Sequence, residues 1–187
     1  IVKDSFDKME LIGGADCAYS QDDVIAAIVA CDYKTMELRE KAYSISKTKV
    51  PYLKGFLAYR EGPAISEAYL RLQNKPDIVL FDGNGILHQR RCGLASHMGI
   101  LLDQPSIGVA KQLLVGETKN NRVYVDNELR AEIVVSREHS KPLYISPGHK
   151  ISLKTSVEVV KRCFRFPHKL PEPLHLAHSY ADEIREK

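Results

Sequence analysis

The run Ile78-Val79-Leu80-Phe81 constrains this chain most: four apolar residues without polar alternation end on Asp82 and break at once into Gly83-Asn84-Gly85. A strand that is apolar on both faces needs cover on both faces, which places it inside a parallel or mixed sheet between layers of helix. An acid at the carboxyl end of such a strand, followed by glycine backbone and by His88-Gln89-Arg90-Arg91, suits holding a metal against phosphate. Asp-Gly and Asn-Gly are also ordinary turn pairs, so a tight turn leading into an amphipathic helix accounts for the same residues.

The remaining periodicity extends the α/β reading. Residues 11–19 and 24–33 are β-like and separated by Ser20-Gln21-Asp22-Asp23, which predicts a hairpin, and 37–46 reads as a third antiparallel strand. Residues 50–55 break the pattern. Apolar residues at helical spacing then predict a long helix over 56–72 despite Gly62-Pro63. A helix over 93–102, an inner strand over 106–110 and further strands over 122–125 and 129–135 follow. Helices over 152–163, with Leu153, Val157 and Val160 on one side, and over 171–186 complete the chain. Three antiparallel strands followed by alternating helix and strand predict a mixed sheet covered on both faces. At 187 residues with no linker, repeat or low-complexity tract, residues 1–187 are read as one domain.

Composition excludes more than it selects. Hydrophobic residues make up 44%, too many for a disordered chain. No run approaches the ~18 apolar residues that span a bilayer, and no leader-like pattern opens the sequence as given. The net charge of +3 permits a polyanionic partner without demanding one. Cys17, Cys31, Cys92 and Cys163 are scattered with no Cys-x-x-Cys pair, which argues against a structural zinc and against a disulfide scaffold. A cytoplasmic protein with no membrane partner is expected.

Several side chains could carry chemistry. Asp16 stands in an otherwise apolar strand, where an unpaired carboxylate is costly. It closes a salt bridge or bulge, or it faces one ion together with Asp82. Glu61 is either a charge near a helix start or a third carboxylate. Three acids from separated elements are what a one- or two-ion Mg²⁺ site for phosphodiester cleavage needs. Lys111 follows an inner strand, so it either opens a loop or places its ammonium on a phosphate. The loop Val50-Pro51-Tyr52-Leu53-Lys54-Gly55-Phe56 offers an aromatic tip that could wedge into a duplex, or simply anchor the loop. Residues 144–150, with Ser146, Gly148, His149 and Lys150, read as a phosphate seat ahead of a helix N-terminus. His175 and His178 share a helix face. Without a third nitrogen or sulfur ligand nearby, His178 is assigned proton transfer rather than zinc binding, and His175 an exposed position. His88 sits in the cationic turn, within reach of a phosphate or a metal-bound water.

Taken together, these segments closely resemble the endonuclease V family. The matching stretches are Gly14-Ala15-Asp16, Val50-Pro51-Tyr52, Phe56-Leu57-Ala58-Tyr59-Arg60-Glu61-Gly62-Pro63 and Asp82-Gly83-Asn84-Gly85-Ile86-Leu87-His88. Gly93-Leu94-Ala95-Ser96-His97, Gly108-Val109-Ala110-Lys111, Ser146-Pro147-Gly148-His149, Leu170-Pro171-Glu172-Pro173 and Leu176-Ala177-His178 continue them in order.

The resemblance implies an RNase H-like fold, a five-stranded mixed sheet with helices on both sides. It implies hydrolysis of the second phosphodiester 3′ to hypoxanthine, with Mg²⁺ as cofactor and Mn²⁺ as substitute. Asp16, Glu61 and Asp82 would be the metal carboxylates, and Lys111 and His178 would assist the attacking water and the departing oxygen. Tyr52 would part the strands. Gly83 and Gly85 would let backbone amides approach the extruded base beside Asn84, Ile86 and His88, with Lys54, Arg90 and Arg91 on phosphates. Hypoxanthine carries a carbonyl at C6 and a protonated N1, so a pocket with backbone donors and acceptors separates it from adenine by about 1–3 kcal/mol per mispaired group. A weakly paired inosine is also cheaper to flip. Two positions depart from the common pattern: Lys54 replaces a second proline, and Asn84 replaces the histidine of bacterial members, as in archaeal and eukaryotic ones. Eukaryotic members favour inosine in RNA, so inosine-containing RNA joins inosine-containing DNA as an expected partner of a monomeric enzyme.

Overall fold

A computed structural model describes residue 4, residues 9–48 and residues 50–187. The first three strands, β1 (Leu11–Ser20), β2 (Asp23–Asp32) and β3 (Leu38–Lys47), form the expected antiparallel meander. Helix α1 (Leu57–Arg71) crosses to β4 (Ile78–Asp82), which lies parallel to β1, and α2 (Leu94–Leu101) leads to β5 (Ser106–Ala110), parallel to β4. Strand order β3-β2-β1-β4-β5 with helices on both faces is the RNase H-like arrangement.

The sheet is wider than the five strands expected. β6 (Glu117–Lys119), β7 (Arg122–Val125), β8 (Glu128–Val134) and β9 (Leu143–His149) extend it beyond β5 to nine strands among the described residues, in the order β5-β9-β8-β7-β6. β9 pairs antiparallel with β5, so most of 144–150 is sheet strand, and the expected helix follows it from Leu153. Leu143, Ile145 and Pro147 alternate into the interior, and the register shifts where Pro147 and His149 face Ile107 and Ser106. That irregularity is how a proline is accommodated inside a sheet. Helices α3 (Leu153–Arg162) and α4 (Glu172–Arg185) close the chain.

β4 confirms the logic of its sequence. Ile78 and Leu80 pack with Val157 and Val160 of α3 and Leu174 and Ala177 of α4. Val79 and Phe81 pack with Ala64 and Ile65 of α1 and Ala95 and Met98 of α2. Two cores therefore sandwich one strand, and Asp82 emerges where that strand leaves them.

Candidate active site

Register brings the first two acids together. The last β1–β4 pair is Ala15 with Phe81, so Asp16 and Asp82 each stand one residue further along neighbouring parallel strands. Gly14 lies on the same face of β1 as Asp16. A Cβ at Gly14 would meet the Pro173 carbonyl oxygen at 2.2 Å, so only glycine lets the start of α4 settle onto β1. One turn along α4, His178 Nδ1 lies 2.7 Å from Asp16 Oδ2, while Asp16 Oδ1 accepts from the Cys17 amide at 2.8 Å. The hydrogen bond to Asp16 raises the His178 pKa above its ordinary value against the opposing effect of partial burial.

Lys111, just beyond β5, donates to Asp82 Oδ2. Burial nevertheless pushes the Asp82 carboxyl above its usual range, reinforced by Asp16, because the Lys111 and His178 charges offset these effects only in part. Glu61 comes from α1 and is 6% exposed. Burial, with Asp16 and Asp82 adding to it, raises its pKa to about 8 despite a hydrogen bond from the Tyr19 hydroxyl. Burial and Glu61 in turn keep the Tyr19 phenol protonated and donating. Cys17 registers all three acids: burial first, then Glu61, Asp16 and Asp82, hold its thiol far above its ordinary range.

These side chains do not form a finished ligand cage. Among the described residues no three histidine, cysteine or acidic side chains close around one point as metal ligands. Instead Asp16 faces His178, Asp82 faces Lys111 and Glu61 faces Tyr19. The donor set still fits a hard divalent cation: it consists of carboxylate oxygens, two of them on largely buried side chains whose proton affinity is raised by burial and mutual repulsion.

Asp82 and Lys111 border a cleft of about 570 Å³ whose walls include Tyr52, Lys54, Gly83, Asn84, His88 and Arg90. Tyr52 is 65% exposed at its mouth. Asn84 Oδ1 is buried in the wall without a hydrogen-bond partner among the described residues. His88 is 2% exposed and uses both ring nitrogens. Nδ1 can only accept from the Arg90 amide at 3.2 Å, which assigns the proton to Nε2, 3.1 Å from the Gly55 carbonyl oxygen. Arg90 donates to the same carbonyl at 2.6 Å. Gly55 has φ +81°, a conformation that favours glycine. His88 thus ties the Tyr52 loop to the turn after β4 from within the cleft wall.

Other expected site residues lie elsewhere or do other work. Gly85 is buried, with its amide donating to Ser146 Oγ at 2.9 Å, and the Ile86 amide donates to the Pro147 carbonyl at 2.8 Å, so neither amide is available to a base. Ser146 is fully buried and supports this turn from β9. Arg91 turns onto Glu128 at 2.7 Å. Gly148 and His149 occupy the end of β9 that pairs with the start of β5, away from Lys111, with Lys150 just beyond it, and Lys150 and His149 face Asp103 at 2.6 and 3.6 Å. The segment expected as a phosphate seat is therefore built into the sheet up to His149, with its two cationic side chains turned to Asp103. His175 is half-buried, its ring stacked on His168 at 3.5 Å, and not freely exposed.

Sequence reasoning missed three supporting residues. Tyr19 holds Glu61, and Arg60 lies over the Tyr19 ring at 4.7 Å. Arg130, 5% exposed on β8, donates to the His88 carbonyl at 2.9 Å. An arginine at an inward position of a strand was the one available signal for Arg130, since a buried guanidinium needs partners.

A sequence model of the endonuclease V family matches residues 1–179. An endonuclease V of Dictyoglomus thermophilum is 42% identical over 189 residues, spanning 97% of this chain and 82% of that protein. The crystal structure of the catalytic domain of human endonuclease V superposes with a TM-score of 0.90 at 30% identity, covering 100% of this chain and 90% of that one. The Ciona intestinalis endonuclease V, crystallised with a 24mer DNA containing an inosine followed by a ribo-adenosine, superposes with a TM-score of 0.88 at 29% identity, covering 100% and 92%.

Proposed function

Because this chain belongs to the endonuclease V family, we propose that it is a metal-dependent endonuclease acting on inosine-containing DNA in the repair of deaminated adenine. It hydrolyses the second phosphodiester 3′ to inosine and leaves 3′-hydroxyl and 5′-phosphate ends. The observation that carries the reading is the register that sets Asp16 and Asp82 side by side at the ends of β1 and β4, with Asp82 on the wall of the cleft that the Tyr52 loop borders.

Asp16, Glu61 and Asp82 would hold the cation, Mg²⁺ with Mn²⁺ as substitute. When bound, such an ion activates water and stabilises the charge that grows on the phosphate. The chain's own residues supply the rest. Lys111 carries a positive charge beside Asp82, where it balances developing negative charge on a phosphate seated in the cleft. His178, oriented through Nδ1 by Asp16 and with Nε2 3.5 Å from Asp182, is the group that would exchange a proton with an attacking or departing oxygen once Nε2 turns to it. Tyr52 enters between the strands, and Lys54 and Arg90 take phosphates at the rim. DNA is taken as the substrate on the strength of the Ciona intestinalis complex, and inosine-containing RNA is the alternative.

Asp82→Ala tests this assignment. Cleavage of an inosine strand in Mg²⁺ is expected to vanish while binding of that strand largely survives. Cleavage at the unaltered rate would remove Asp82 from the site.

A further inference from the structure

A row of side chains in ring contact runs along one rim of the cleft. The Arg90 guanidinium lies over the Phe56 ring at 4.2 Å. Phe56 and Tyr59 are three residues apart at the start of α1, hence on one face, with ring centroids 6.0 Å apart and planes tilted by 38°. Tyr59 then meets His97 of α2 edge-on at 5.6 Å. Phe56 is 41% and Tyr59 58% exposed, and neither belongs to the buried clusters that hold α1 on the sheet. Leu57, Ala58 and Ile65 of that helix do this instead. Tyr59 and His97 share the cleft with Asp82 and Lys111.

Large aromatic faces left in water beside a cationic cleft suit a ligand with a flat π-face and a negative backbone. We propose that Tyr59 and His97, with Phe56 behind them, form a stacking subsite for an unpaired nucleobase next to the displaced inosine in the same strand. This role differs from that of Tyr52, which parts the strands. The rim holds the base that parting leaves without its neighbour. Arg90, fixed by Phe56 and the Gly55 carbonyl, is placed for the adjoining phosphate. The subsite rests on the endonuclease reading above, because it needs a strand in the cleft.

The test compares the affinities of the unaltered protein, Tyr59→Ala and Tyr59→Phe in EDTA. Two inosine-containing single strands are used, one with ordinary bases beside the inosine and one with abasic nucleotides there. Tyr59→Ala is expected to weaken binding of the first strand about tenfold and of the second less than about twofold, with Tyr59→Phe close to the unaltered protein on both. Equal losses on the two strands, or a loss with Tyr59→Phe as large as with Tyr59→Ala, would overturn the subsite and leave the endonuclease reading intact. Failure of that reading is seen separately, as an unaltered protein that does not distinguish inosine from adenine strands.

Discussion

His178 Nδ1 lies 2.7 Å from Asp16 Oδ2, and this contact locks the last helix to the first strand at one of the three acids. Residues 162 positions apart thus share a proton. His178→Ala is expected to slow inosine-strand cleavage by about a hundredfold or more while leaving binding nearly unchanged, since a positioned acid–base group contributes on that scale. Single-turnover rates at saturating enzyme separate the two effects. A proportional loss of binding would instead mark His178 as a packing residue.

Gly14 makes that contact possible. With the Pro173 backbone 2.2 Å from where a Cβ would stand, Gly14→Ala forces α4 off β1. The neighbour is backbone and cannot rotate aside, so the cost is expected to reach ~3 kcal/mol or more. A lowered melting temperature together with lost cleavage is expected. A variant of unchanged stability would show that α4 sits further from β1.

Glu61 predicts how stability depends on pH without divalent cations. Its pKa rises from an ordinary 4.5 to about 8 on folding, chiefly through burial, so the folded state binds the proton more tightly than the unfolded chain. The stabilisation is full below about 4.5 and is lost as pH climbs through about 8. Melting in EDTA should therefore move to lower temperature across that window, by at most ~1.4 kcal/mol per pH unit for this one proton. Asp82, also raised, acts in the same direction. Glu61→Gln should flatten the profile, and a flat profile in the unaltered protein would contradict the burial argument.

The Tyr52 loop and the His88 tie should share a signature. Tyr52→Ala and His88→Ala are both expected to reduce cleavage of a duplex inosine substrate about tenfold more than cleavage of a single strand, on the scale of one lost hydrogen bond or wedge contact. Equal reductions on both substrates would assign His88 to the fold alone.

The parts of this site legible in the sequence are those set by short-range periodicity. An apolar strand ending on an acid located Asp82, an acid interrupting an apolar strand located Asp16, and helical spacing carried Glu61 on α1. What was not legible depended on contacts between distant segments. Residues 144–150 read as a polar lead-in to a helix, and only pairing with β5 across a register shift makes 143–149 a strand and turns His149 and Lys150 to Asp103. Tyr19 reaches Glu61 across 42 residues, and Arg130 reaches His88 across another 42, with no local pattern to announce either. His88 stands among cations in the sequence, yet burial beneath Gly55 turns it into a support.

End mapping of matched oligonucleotides, identical except for inosine or adenine at one position and made with deoxyribose or ribose, decides whether this chain cuts beside inosine. In Mg²⁺ the account predicts a single cut at the second phosphodiester 3′ to inosine, silence in EDTA, and no cut in the adenine strand. Cutting that persists in EDTA, or that falls equally on adenine and inosine strands, would contradict it.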